Sequence, residues 1–356
     1  MQIQARLARL RRQFSENKIN ALLVSQPDNL YYLSGCEGLE GYLLITEDQA
    51  VIVTDFRYIE QARRQSPDYT LFRISGKMTE WLPGLLKDRH IKSLGFESSF
   101  ATVAFYEQLS ALLKDLPTCP TLVAANGLVE ILRVVKDSAE IEDIEKAAHI
   151  TDSVLAYIET ILEPGLTERQ LAWEIEKYMR EHGSQSVPFE LIVAAGPNGA
   201  LPHARPSDYP IKAGEPIVVD IGSRYNFYGS DLTRTFCIGQ SNDMFKKVYD
   251  VVLRAQMTAI DNIRPGMTGA EADALARRVI SEAGYGESFG HGLGHGIGLV
   301  THENPRISLN SIDVLADGMV FTIEPGIYIS GWGGVRIEDD IVIENGKIRV
   351  ISSALK

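Results

Sequence analysis

The chain has 356 residues, with 35 Lys and Arg against 47 Asp and Glu and a net charge of −12 at pH 7. Its 45% apolar and 23% charged content excludes wholesale disorder, and the acidic balance argues against a nucleic-acid partner, which wants a basic face. No run approaches the ~18 apolar residues of a membrane span. The opening residues Met1–Arg6 show no apolar signal-peptide core. Cys36, Cys119 and Cys237 are odd in number, far apart and form no Cys-x-x-Cys pair. A cytoplasmic location and a site without thiolate ligands are therefore expected.

At roughly 100–200 residues per domain, two domains are expected. Ile3, Leu7, Leu10 and Phe14 recur at helical spacing over residues 2–18. Apolar runs predict strands at 21–25, 41–45, 50–54, 71–74 and 93–96, with helical stretches at 56–65, 78–88 and 101–116. Such alternation predicts an α/β domain. The texture changes near Leu132–Asp137, so residues 1–132 form the first domain and 133–356 the second. There, 138–163 reads as a long helix with Ser138 as its N-cap, stopped by Pro164-Gly165, and 167–182 as another. A second helical pair is predicted at 243–263 and 268–283, and strands at 191–195, 216–223, 226–238, 319–329 and 335–344.

The chemistry gathers in this second domain. Of seven histidines, His203, His291, His295 and His302 lie in its Gly-rich and Pro-rich segments, whereas His90, His149 and His182 have surface-like surroundings. Asp220 lies in the apolar run Pro216–Gly222, and the Tyr228-Gly229 turn lets Asp231 face it across a hairpin. Glu324 and Glu338 lie in the predicted strands 319–329 and 335–344 and echo that pair, which suggests pseudo-symmetric halves. Acids embedded in apolar strands are costly unless paired or bound to a cation. Separate salt bridges would satisfy one or two of them. Four, beside a histidine cluster, favour a shared cation site. Carboxylates with one imidazole suit Mn2+, Co2+ or Fe2+, with Zn2+ also accommodated, and four negative charges balance two divalent ions.

Three motifs are decoys. Gly286-Glu-Ser-Phe-Gly290 has the spacing of a nucleophile elbow but lacks its strand–turn–helix setting and its Ser–acid–His order. Gly290–Gly298 carries glycine at every second position, unlike a Gly-x-Gly-x-x-Gly loop, and His302-Glu303 has no second histidine at helical spacing.

Taken together, Val-Val-Asp220-Ile-Gly, Ser-Asp231-Leu-Thr-Arg-Thr-Phe, Gly-His-Gly-Leu-Gly-His295-Gly-Ile-Gly, Ile-Glu324-Pro-Gly and Val-Arg-Ile-Glu338-Asp-Asp resemble the pita-bread metallopeptidases. That family holds methionine aminopeptidase, aminopeptidase P and prolidase. The resemblance spans the chain, and Asp28–Gly35 with its surroundings is similar to the creatinase-type N-terminal domain of the Xaa-Pro peptidases. It implies an α+β pita-bread catalytic domain after a smaller α/β domain, and a homodimer.

The resemblance also implies roles. Two divalent ions, Mn2+ or Co2+ foremost and Zn2+ or Fe2+ as alternatives, would be held by Asp220, Asp231, His295, Glu324 and Glu338. Asp231 and Glu338 would bridge them. Glu324 would also carry a proton from the attacking water to the leaving prolyl nitrogen, while His203 and His302 stabilise the tetrahedral intermediate. His291 would line the pocket and Arg336 would brace a ligand carboxylate. The implied activity is hydrolysis of the Xaa-Pro bond in short peptides, by a dipeptidase in preference to an aminopeptidase P acting on longer ones. An inactive binding module on the same fold is the rival of a different class. Arg306 would clamp a dipeptide's carboxylate; its alternative is a surface arginine at a loop exit, as His203's is a structural loop histidine.

Overall fold

The computed structural model describes residues 2–356. Residues up to Arg133 form one compact unit and Val134–Lys356 a second. In the first, six strands form one mixed sheet: β1 (Ala21–Val24), β2 (Gly41–Thr46), β3 (Ala50–Thr54), β4 (Thr70–Arg73), β5 (Ser93–Glu97) and β6 (Thr121–Ala125), in the order β4-β3-β2-β1-β5-β6. The β1–β2 and β2–β3 pairs are antiparallel and the others parallel. The helices are α1 (Ile3–Arg12), α2 (Pro27–Ser34), α3 (Ile59–Gln65), α4 (Met78–Leu86), α5 (Val103–Lys114) and α6 (Glu130–Arg133). One face of the sheet buries Leu23, Val53 and Leu94 against Trp81, Leu82 and Leu85 of α4 and Leu109 of α5. Sequence periodicity misses α2 and β6. Most of α2 is buried, so it shows no polar stripe, and β6 is a half-exposed edge strand without clean alternation.

The second unit repeats one plan twice. Helices α7 (Ser138–Ile161) and α8 (Glu168–Glu181) lay Val154, Ile158, Leu171 and Ile175 on β7 (Ile192–Ala195) and β8 (Pro216–Ile221). A hairpin of β9 (Arg224–Tyr225) and β10 (Tyr228–Gly229) leads to β11 (Leu232–Cys237), which completes the antiparallel order β11-β8-β7. Helices α9 (Asp243–Asn262) and α10 (Gly269–Glu282) then cover the other half. Its strands are β12 (Gly294–Gly296), β13 (Glu303–Ile307), β14 (Val320–Ile323), β15 (Gly326–Ile329), β16 (Gly333–Arg336), β17 (Asp339–Glu344) and β18 (Lys347–Val350). They form a five-stranded sheet, β13-β12-β14-β17-β18, and the pair β15-β16. Among the described residues no helix is long and apolar enough to cross a membrane.

Several sequence expectations need correction. The predicted strands 319–329 and 335–344 are each broken in two, at Glu324-Pro325 and Ile337-Glu338, since Pro325 offers no N–H to continue a ladder. The predicted strand 226–238 breaks at Ser230-Asp231. The acids therefore stand at strand ends, apart from Asp220 within β8. Strands β12 and β13 were not foreseen, because their glycines and Pro305 hide any β signal.

Nor is Ser138 the N-cap of α7. Asp137 is: its carboxylate accepts the N–H groups of Ala139 and Glu140, both at 3.0 Å, and Glu140 accepts the Asp137 N–H at 2.8 Å. Asp137→Ala is expected to cost about 1 kcal/mol through the cap, and Ser138→Ala almost nothing. Urea unfolding curves of the two variants compare them, and equal losses would restore Ser138.

Candidate active site

Strand pairing places the acids. Asp220 on β8 stands opposite Thr233 on β11, and Ser230 N–H bonds Ser223 C=O at 3.0 Å in the same register. Asp231 therefore lies diagonally from Asp220 on the same face, two positions from the direct opposition expected from the hairpin. In the other half the last paired rung of β14 and β17 is Ile323–Asp339. Ile337 N–H to Pro325 C=O, at 3.4 Å, continues that register and sets Glu324 across from Glu338.

His295 is on β12, flanked by β13 and β14. This strand is squeezed: a Cβ at Gly296 would lie 2.1 Å from Asn304 O. Close backbone approach, rather than a phosphate cradle, explains Gly292, Gly294 and Gly296, where a Cβ would meet a backbone oxygen at 2.8, 2.0 and 2.1 Å.

All ten residues singled out in the sequence line one cavity of about 570 Å³ within the second unit. Donor atoms of Asp231, His295 and Glu338 lie within 4.8 Å of one another. Glu324 Oε1 is 3.3 Å from His295 Nε2, and Asp231 Oδ2 is 3.7 Å from it. The His295 Nδ1–H donates to its neighbour's carbonyl, Gly296 O, at 3.2 Å. This orients the ring so that Nε2 faces the acids, where it meets either a proton or a cation. Arg336 donates to Asp220 Oδ2 at 2.7 Å, to Thr233 Oγ1 at 3.0 Å and to Tyr328 OH at 2.7 Å.

The His291 Nδ1–H donates to Gly292 C=O at 2.7 Å, so its Nε2 accepts from Tyr328 OH at 2.9 Å. His203 and His302 are exposed at the cavity wall, with the His302 ring 4.2 Å from that of His295. Three arginines reach the cavity. Arg336 pairs with Asp220 and Arg205 with Glu190, whereas Arg306 forms no ion pair among the described residues.

Burial pushes Asp231 and Glu338 well above the usual carboxylate range, and the neighbouring acids push in the same direction. Burial opposes ionisation of Glu324 too, but its hydrogen bond to His295 and the nearby positive charges outweigh it and hold this acid at about 2. Burial opposes the charged form of His295 as well, yet Glu324 raises it overall. Desolvation holds His302 at about 4, with the charge of His295 adding to it.

Do these residues fit divalent cations? Asp220 Oδ1 is buried without a hydrogen-bond partner, and a buried carboxylate oxygen left so is costly. Four clustered acids repel one another, and one imidazole turns its Nε2 toward them. Oxygen-rich with one nitrogen, the set is that of a site for hard or borderline divalent metals. The residues fit.

Sequence reasoning missed three contributors. Thr233 donates to Glu338 Oε2 at 2.6 Å, Asp340 accepts the Asp231 N–H at 3.0 Å, and Tyr328 joins His291 to Arg336. Thr233 and Asp340 sit within two positions of a ligand candidate, which is their only signal; Tyr328 has none.

Residues 142–345 match the model of metallopeptidase family M24, and residues 6–135 that of the creatinase/prolidase N-terminal domain. The chain belongs to metallopeptidase family M24. An M24 metallopeptidase is a hydrolase that works with divalent metal ions, and the Asp231–His295–Glu338 group offers a place for them. The chain is 41% identical over 338 residues to the Xaa-Pro dipeptidase of Pyrococcus horikoshii, across 94% of this chain and 93% of that one. It superposes on the Xaa-Pro dipeptidase from Bacillus anthracis with a TM-score of 0.95 at 39% identity, covering 99% and 98% of the two chains. The X-Pro aminopeptidase from Thermotoga maritima matches with a TM-score of 0.90 at 34% identity, covering 97% and 98%.

Proposed function

We propose that this M24 metallopeptidase is a dinuclear Xaa-Pro dipeptidase acting on short proline-containing peptides in the cytoplasm, as a homodimer. Residues 1–132 would be its creatinase-like domain and 133–356 would carry the chemistry. The observation that carries the reading is the closely spaced Asp231, His295 and Glu338 beside the orphaned oxygen of Asp220. Asp220, Asp231, His295, Glu324 and Glu338 would hold two divalent ions, Mn2+ or Co2+ by ligand type. When bound, such ions acidify water and polarise a carbonyl.

The side chains do the rest. Glu324, beside His295 in the cavity, would accept the nucleophile's proton and return it to the departing prolyl nitrogen. His302 is neutral at pH 7, and its remaining N–H, with that of His203, donates to the developing oxyanion. His291 lines the substrate pocket through its tie to Tyr328. Arg336 braces Asp220.

Arg306 supports the dipeptidase choice. Its guanidinium is the cavity's arginine without a carboxylate partner among the described residues. A dipeptide ends in a carboxylate beside the scissile bond, and a planar guanidinium can grip it with two charge-assisted hydrogen bonds. Arg306→Ala is expected to lose about 1.5–3 kcal/mol on Xaa-Pro dipeptides, roughly 10–150-fold in kcat/KM. Lysine should recover only part, and Xaa-Pro-Xaa tripeptides should be cleaved almost as before. Assays of both substrate lengths decide it. Equal losses, or none, would favour the second reading, an aminopeptidase of the kind named for the Thermotoga maritima match.

A further inference from the structure

His302 has an unusual combination of features. It is exposed, and among the described residues its imidazole makes ring contact with His295 but no hydrogen bond. A free side chain that must point at one reacting oxygen needs its backbone held by something else. On one side Thr301 Oγ1 reaches Pro188 O at 3.4 Å, a long bond. On the other, Glu303 pairs across the ladder with Gly296, but the register slips there, between His295 and Gly296. Irregular pairing leaves a strand less fixed by its main chain than a regular ladder does.

The same segment carries a buried ion pair. Lys136 Nζ lies 2.7 Å from Glu303 Oε1, with the two side chains 1% and 12% exposed. Lys136 is itself anchored: its N–H bonds Gly318 O at 2.8 Å, and the preceding Val135 bridges Met319. The glycine run leaves space for the pair, since a Cβ at Gly298 would lie 2.6 Å from Glu303 Oε1 and 3.3 Å from Lys136 Cε. Buried ion pairs are often no more stabilising than apolar side chains of similar volume. Fold stability alone is thus a weak reason to bury a lysine here, and geometric fixation is a stronger one. Among the other buried pairs of this unit, Arg336–Asp220 and Arg234–Asp339 hold strands that carry or adjoin the acids. This one holds the segment that bears His302.

We infer that Lys136 and Glu303 are positioning residues for His302, fixing the backbone beside it so that its imidazole is aimed at the reacting carbonyl. The inference rests on the oxyanion role proposed above. Its test is a coupling experiment on the Mn2+-loaded enzyme. Because Lys136→Met alone removes only one charge of a buried pair, the informative variant is K136M/E303Q, which removes both, with Glu303→Gln as a milder companion.

In the His302 background K136M/E303Q should lower kcat by about 10–100-fold, the size expected when a catalytic group is misplaced by a fraction of an ångström to an ångström. KM and metal stoichiometry should hold. In a His302→Ala background the same change should cost less than about twofold, because its target is gone. Equal losses in both backgrounds, or no loss in either, would overturn the inference.

A second readout does not depend on activity. In histidine-selective NMR spectra of the metal-free protein, where no paramagnetic Mn2+ broadens the signals, the His302 resonance, identified by its absence from His302→Ala, should shift or broaden in K136M/E303Q. That of exposed His149 on α7 should not. If His302→Ala keeps its kcat, the oxyanion reading fails, while the spectra still decide whether the pair positions the ring. An unchanged His302 resonance would overturn the positioning claim itself.

Discussion

Asp231→Asn is expected to lower kcat by several orders of magnitude while leaving the metal-free fold intact. The amide keeps the shape of the carboxylate but loses its charge and one of its two equivalent acceptor oxygens. A residue proposed to bridge two cations can no longer balance both. The metal-free protein should tolerate the change well. Burial and the charges of Glu338, Asp220 and Glu324 already oppose ionisation of Asp231, so removing that charge relieves repulsion. The melting temperature of the metal-free variant should therefore equal or exceed that of the metal-free parent. Metal content by elemental analysis should fall below two ions per chain. Chelation of the parent should abolish turnover in the same way, and Mn2+ or Co2+ should restore it. Full activity in metal-free protein would end the dinuclear reading, and a melting temperature lowered by Asp231→Asn would show that the variant fails by unfolding.

His302→Ala and His203→Ala should behave in the opposite manner, keeping both metals and losing on the order of 10²–10³ in kcat, the scale of a missing oxyanion donor. Neither imidazole belongs to the close group of Asp231, His295 and Glu338, and both are exposed at the cavity wall. Their truncation leaves no buried group unpaired, so thermal stability should barely move. The measurement that separates the roles is turnover per bound metal. A variant that sheds metal while each remaining loaded site works normally would make that histidine a ligand and transfer the oxyanion role elsewhere.

Both sets of residues leave a trace in the sequence. An aspartate inside Pro-Ile-Val-Val-Asp220-Ile-Gly is conspicuous by itself, because an acid in an apolar strand is costly without a partner. Asp231, Glu324 and Glu338 also lie in apolar runs, though the structure sets them at strand ends, and His291 and His295 are set among glycines. These signals are local, and the residues they pick out meet in one cavity. The helical pairs were legible for a related reason: α7 to α10 each bury one stripe and expose the other, so the period of the fold is written in the chain.

The order of residues carries the inventory: the elements of two domains and the acids and histidines of the cavity. Only the tertiary structure decided which atoms meet. Asp231 donates its N–H to Asp340, 109 residues away, and Thr233 donates to Glu338 across 105. Such contacts depend on how ladders from the two halves are brought together, and a slip of one residue would turn every side chain to the other face. The diagonal placement of Asp220 and Asp231, the strand breaks that free Glu324 and Glu338, and the Tyr328 link between His291 and Arg336 all arise at that level. So does the burial of Lys136. Its neighbours in sequence say nothing of Glu303, because the ion pair exists only where the Gly298 backbone leaves room for it.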